Sequence, residues 1–117
     1  MTHQAPPPAS SSAADPGRQI AQLREALRLV ERIAGRGDAG REDSRLDEAA
    51  RVSEAYDRAL PVARRRFEAL AAETVIWAAA GVEALLIAGQ GAPPRAAAAR
   101  LADSLARALN ALEESLR

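Results

Sequence analysis

The chain has 117 residues with sixteen Arg, no Lys and sixteen acidic residues, so its formal net charge is zero. It therefore lacks the basic excess typical of nucleic-acid binders, and the absence of Cys excludes disulfides, thiolate catalysis and Cys-ligated zinc. Thirty Ala residues and a single Phe, Trp, Tyr and Met favour closely packed helices, so we expect one all-α domain. The first residues lack the basic and apolar segments of a secretory signal, so the cytoplasm is the expected location.

The N-terminal part of the chain predicts a tail followed by a helix. Residues 1–14 are rich in Pro and Ser and predict a disordered tail, which leaves residues 15–117 as a single helical-bundle domain. Asp15 and Pro16 are typical of a helix start, and Gly35 is typical of a helix end, so we expect a helix over about residues 15–36. Steps of three and four residues predict its buried face: Ile20, Leu23, Leu27, Val30 and Ala34.

The middle of the chain carries the longest apolar periodicity, from residue 46 to residue 88, with Pro61 in its centre. Because no turn residues surround Pro61, we expect one long helix over about residues 44–88 that is kinked there. A break at Pro61 into two helices is the alternative. A final helix over about residues 94–117 completes an antiparallel three-helix bundle, or a four-helix bundle if the chain breaks at Pro61.

Residues 75–88 are apolar on nearly every side, with Glu83 as the exception. Two flanking helices would cover about two thirds of such a helix, so we predict that it forms a homodimer or partner interface. The alternative is complete burial within one protomer, with Glu83 paired to an Arg or reaching the surface. At fourteen residues the run is shorter than the roughly 20 that a membrane span needs, and no membrane association is expected. The predicted interface residues are Val75, Ile76, Trp77, Val82, Leu85 and Leu86.

Arg64, Arg65 and Arg66 form the only basic cluster. Three consecutive helical residues spread over about 200° and do not make one flat patch. We expect a solvated face, and contact with an acidic partner peptide is the next interpretation.

No motif indicates catalysis, a metal or a cofactor. The one His, His3, lies in the predicted tail, and no phosphate-binding glycine motif occurs. Two partial resemblances are to helical protein binders. Residues 40–46 (GREDSRL) with the PPR run at residues 93–95 resemble RcdA-type protease adaptors, and the Leu/Ala/Arg layout is similar to flagellar export chaperones of the FlgN type.

The sequence thus predicts a bacterial, non-enzymatic protein-interaction module, such as an adaptor, chaperone or assembly factor, acting as a homodimer. A DNA-associated regulator that uses Arg64, Arg65 and Arg66 is the first alternative. A bundle that binds a small ligand near Trp77 is the second.

Overall fold

The computed structural model describes residues 15–36 and 42–117, with side chains described from residue 47 in the second range. The described residues form four α-helices and no strand, which confirms the all-α prediction. The predicted tail at residues 1–14 lies outside the described residues, as do residues 37–41. The helices are α1 (Pro16–Ile33), α2 (Glu42–Arg58), α3 (Pro61–Ala88) and α4 (Arg95–Ser115).

The chain breaks at Pro61, so the expected single kinked helix, and with it the three-helix bundle, is incorrect and the four-helix alternative is confirmed. Leu60 is extended (φ −69°, ψ 154°), because the ring of a following proline disfavours the helical conformation. Pro61 then occupies the first turn of α3, where its missing N–H costs nothing. The Ala59 N–H donates to the Tyr56 carbonyl at 3.2 Å and closes the last turn of α2.

Helix α1 is the central element of the bundle, since it packs against α2, α3 and α4, while α3 packs against α1 and α4. The Asp15 carboxylate accepts from the Arg18 N–H at 3.2 Å, and Pro16 follows it in the first turn, as the sequence predicts. Apolar side chains from all four helices meet in one core. Its fully buried larger members are Ile20, Val30, Val52, Phe67, Leu105, Leu109 and Leu112.

Candidate interaction surface

One side of α3 belongs to the core. The Thr74 hydroxyl, which is buried on this side, donates to the Leu70 carbonyl at 2.7 Å, so its polar group is satisfied within the helix. Trp77 is partly buried and packs against the core from the flank. The buried residues of α3 are Phe67, Ala71, Thr74, Ala78 and Leu85.

The opposite side of α3 is apolar and exposed. Ile76 is 71% exposed, Leu86 57% and Ile87 64%. By length and composition alone, α3 is long and apolar enough to cross a membrane, because its apolar stretch covers more residues than the run at 75–88 considered above. Only 22% of its most apolar 18-residue window is buried, whereas the core helix of a soluble protein is mostly buried. A helix this apolar and this exposed is a candidate interaction surface.

A groove of about 390 Å³ runs between α1 and α3 beside this exposed side. Leu23 and Ala78 belong to the core and form its floor. The wall from α1 is formed by positions 22, 26 and 29. These positions are separated by steps of four and three residues and lie beside the buried face of α1, so helical spacing was the sequence signal for this wall. The groove is lined by Gln22, Leu23, Ala26, Leu29, Val75, Ala78, Ala79, Val82, Glu83 and Leu86.

The structure separates the six residues predicted for the interface. Val75, Val82 and Leu86 line the groove. Ile76 points away from the core on the outer side of α3, whereas Leu85 is only 6% exposed and belongs to the core. Trp77 packs against the core as described, so the surface consists of the groove and the outer side of α3, without Trp77 or Leu85 at its centre.

Glu83 is the one charged residue lining the groove. Its side chain is exposed, and it has no hydrogen bond or ion pair with any described residue. The carboxylate therefore reaches the surface, which is the second of the two outcomes expected for it, and stays available to a partner.

The three arginines of the basic cluster all lie in α3, but only Arg64 contacts the corner between α2 and α3. The Arg64 guanidinium donates from Nε to the Tyr56 carbonyl at 2.9 Å and from Nη2 to the Asp57 carbonyl at 2.6 Å. It also lies 5.4 Å from the centre of the Tyr56 ring. Arg64 thus caps the carbonyl end of α2, where a cation is favoured. Arg65 and Arg66 are exposed and have no such bonds within the described chain.

Tyr56 completes the same corner. Its ring packs edge-on against Phe67 with centroids 5.9 Å apart, and its hydroxyl donates to the Glu68 carboxylate. This hydrogen bond, assisted by burial, raises the pKa of Tyr56 above its ordinary value. Three side chains around Tyr56, those of Arg64, Phe67 and Glu68, therefore fix the corner at Pro61, which was the alternative prediction.

A second polar contact ties α1 to α2. Arg24 donates from Nε and Nη2 to the two carboxylate oxygens of Glu48, at 2.8 Å each. Glu48 is nearly buried, and this forked hydrogen bond raises the pKa of Arg24 despite the opposing effect of desolvation. The pair stabilises the bundle and lies away from the groove.

Among the side chains described at residues 15–36 and 47–117, no group of three or more His, Cys, Asp or Glu could hold a metal ion. Comparisons with protein-family models, characterised proteins and solved structures give no match.

Proposed function

We propose that this chain is a non-enzymatic protein-interaction module that binds a helix in the α1–α3 groove and on the outer side of α3. The observation that carries the proposal is the low burial of α3, of which only 22% of the most apolar window is covered. A groove with apolar walls beside an exposed apolar helix matches the way amphipathic helices are bound.

The chemistry of the surface favours a helix over the other candidates. Small side chains such as Ala26 and Ala79 let another backbone approach closely. Val82 and Leu86 offer apolar contacts one turn apart on α3, and Leu29 offers one from α1. The DNA alternative is weakened because Arg64 is already bound to the carbonyl end of α2. The small-ligand alternative is weakened because Trp77 does not line the groove.

Site-specific photo-crosslinking tests this proposal. A photoreactive phenylalanine analogue is placed at Leu86, on the rim of the groove, and in a separate variant at Asn110, an exposed position on α4. We expect protein crosslinks from position 86 in the cells that naturally produce the chain, and few from position 110. Equal yields at both positions, or lipid adducts alone at position 86, would contradict a protein-binding surface.

A pair of substitutions adds a functional control. Leu86→Arg introduces a charge on the groove rim, and Asn110→Arg introduces the same charge on α4. Because both positions are exposed, neither change should lower the melting temperature by more than a few degrees. Leu86→Arg is expected to abolish crosslinking from a reporter at Val82, whereas Asn110→Arg should leave it unchanged.

A further inference from the structure

The outer side of α3 carries a regular row of exposed residues, which we call the outer seam. Its members are separated by alternating steps of three and four residues, the spacing of helices that pair along their length. All of them are exposed, and Val62 (51%), Ile76 and Leu86 are three of the most exposed large apolar residues described. The outer seam consists of Val62, Arg65, Ala69, Ala72, Ile76, Ala79, Glu83 and Leu86.

The outer seam is complementary to itself when it is reversed about residue 74. Antiparallel pairing about that point places Val62 opposite Leu86 of a second copy and Arg65 opposite Glu83 of the second copy. It also places Ala69 opposite Ala79, and Ala72 opposite Ile76. Every pair then joins apolar with apolar, or positive with negative.

We propose that a second copy of this chain docks antiparallel on the outer seam, with Arg65 and Glu83 forming two symmetric ion pairs. The inference rests on the proposed function, because it names the helix that the surface binds. A two-fold axis at residue 74 produces both ion pairs at once, as expected for a symmetric dimer.

The charges select this arrangement over others. Arg65 and Glu83 have no ion pair or hydrogen bond with described residues, so both are free to pair. Parallel alignment would place Arg65 against Arg65 and Glu83 against Glu83. Sliding the antiparallel pair by one heptad in either direction would place the partner position of one of these charges beyond Pro61 or Ala88, where α3 ends.

Small residues near the two-fold axis favour close packing. Ala69, Ala72 and Ala79 leave room for the second backbone, and Ile76 of each copy fits beside Ala72 of the other. The two copies of Glu73, which lies beside the outer seam, would approach each other near the axis, and their like charges would repel. Glu73→Gln is therefore expected to strengthen the dimer.

The size of the contact sets the expected affinity. The outer seam is about 36 Å long, and with a helix width of about 10 Å it offers roughly 360 Å² per copy. A stable interface buries about 800 Å² per partner. We therefore expect a dimer that dissociates on dilution.

Solution mass measured over a wide concentration range is the first test. We expect a shift from 12.3 kDa towards twice that mass as the concentration rises. Arg65→Glu and Glu83→Arg should each weaken the dimer by about tenfold or more, and the double exchange should restore it. The controls Arg100→Glu and Glu114→Arg make the same charge changes on exposed positions of α4 and should have no effect. Failure of the double exchange to restore dimerisation would overturn the proposed pairing.

Cysteine crosslinking tests the register, since the chain has no Cys of its own. A mixture of Ala69→Cys and Ala79→Cys chains should form the mixed disulfide on oxidation. Each variant alone should form little, because identical positions would lie about 15 Å apart along the axis and a disulfide needs Cα atoms within about 7 Å. Efficient disulfides in each separate variant would indicate parallel pairing and overturn the inference.

The two proposals fail in different ways. A chain that stays at 12.3 kDa at every concentration, yet crosslinks to another protein through position 86, would overturn the second-copy inference alone. A monomer that binds lipid vesicles through the outer seam, without protein crosslinks, would overturn both.

Discussion

Replacement of Arg64 by Ala should destabilise the bundle, although Arg64 lies on the surface within a run of three arginines. Its guanidinium makes two hydrogen bonds to backbone carbonyls at the end of α2, at 2.9 and 2.6 Å, and contacts the Tyr56 ring. Each of these partly exposed hydrogen bonds is worth about 1 kcal/mol, and the cation–π contact adds about 0.5–1 kcal/mol. We therefore expect a loss of about 2–3 kcal/mol in the free energy of unfolding.

Urea denaturation, followed by circular dichroism and by the fluorescence of Trp77, measures this loss. Arg65→Ala and Arg66→Ala are matched controls, and each should change the free energy of unfolding by less than about 0.5 kcal/mol. The stability of Arg64→Lys should fall between that of Arg64→Ala and that of the controls, because an ammonium keeps the charge but lacks the forked guanidinium that reaches both carbonyls. If Arg64→Ala proved as stable as Arg65→Ala, the assignment of Arg64 as the cap of α2 would be refuted.

Three further predictions concern stability. A Cβ on Gly17 would lie 3.0 Å from a backbone carbonyl of α2, so Gly17→Ala should lower the free energy of unfolding by about 1–3 kcal/mol in thermal melts. A Cβ on Gly81 would meet only a movable Leu side chain, at 2.8 Å. Because Ala also has the higher helix propensity, Gly81→Ala should change the free energy of unfolding by less than about 1 kcal/mol. In urea titrations, Arg24→Ala should lower the free energy of unfolding by about 2–4 kcal/mol and Glu48→Ala by about 1–2 kcal/mol. The loss of Arg24 leaves an unpaired Glu48 carboxylate that is only 10% exposed, whereas the Arg24 side chain, when it loses Glu48, is 31% exposed and can reach water. The pKa of Tyr56 is raised in the folded state, so its hydroxyl contributes to the free energy of unfolding. This contribution is complete below the ordinary tyrosine pKa of about 10 and is lost as the pH rises through the folded pKa. Tyr56→Phe should therefore lose stability at neutral pH and show a smaller further loss in alkaline melts.

The helices and most of their faces could be predicted from the sequence because local signals determine them. Asp15 and Pro16 start α1 as expected, and the predicted positions Ile20, Leu23, Leu27 and Val30 are buried. The break at Pro61 was not the first prediction, since no Gly, Asn or Asp forms a turn there. There the Arg64 side chain from the following helix binds the carbonyl end of α2, and no turn residue in the sequence indicates this side-chain contact.

The surface on α3 was located only in part, for a reason that lies in the helix itself. The predicted periodicity, extended to residue 88, marks Ala84 and Ala88 as inward positions, yet both are exposed. An α-helix has 3.6 residues per turn, so a strict heptad row drifts by about 20° each heptad and leaves the core after several turns. The buried row instead follows the 3.6-residue period of the helix. Its ends, Phe67 and Leu85, are 18 residues apart, which is five full turns, and both face the core.

Helix α3 thus has two rows rich in apolar residues on nearly opposite sides, about 160° apart at 100° per residue, and only the outer seam carries the charged residues Arg65 and Glu83. Apolar composition alone does not determine which of them the bundle covers, because Ala and Leu occur in both rows. Packing against α1 and α4 covers the row that contains Phe67 and Thr74. The outer seam, which carries Ile76, is left to the second copy that we propose. In such a dimer, the Ala-rich composition has the same physical reason on both sides of α3. Small side chains allow close helix contacts in the core and across the two-fold axis.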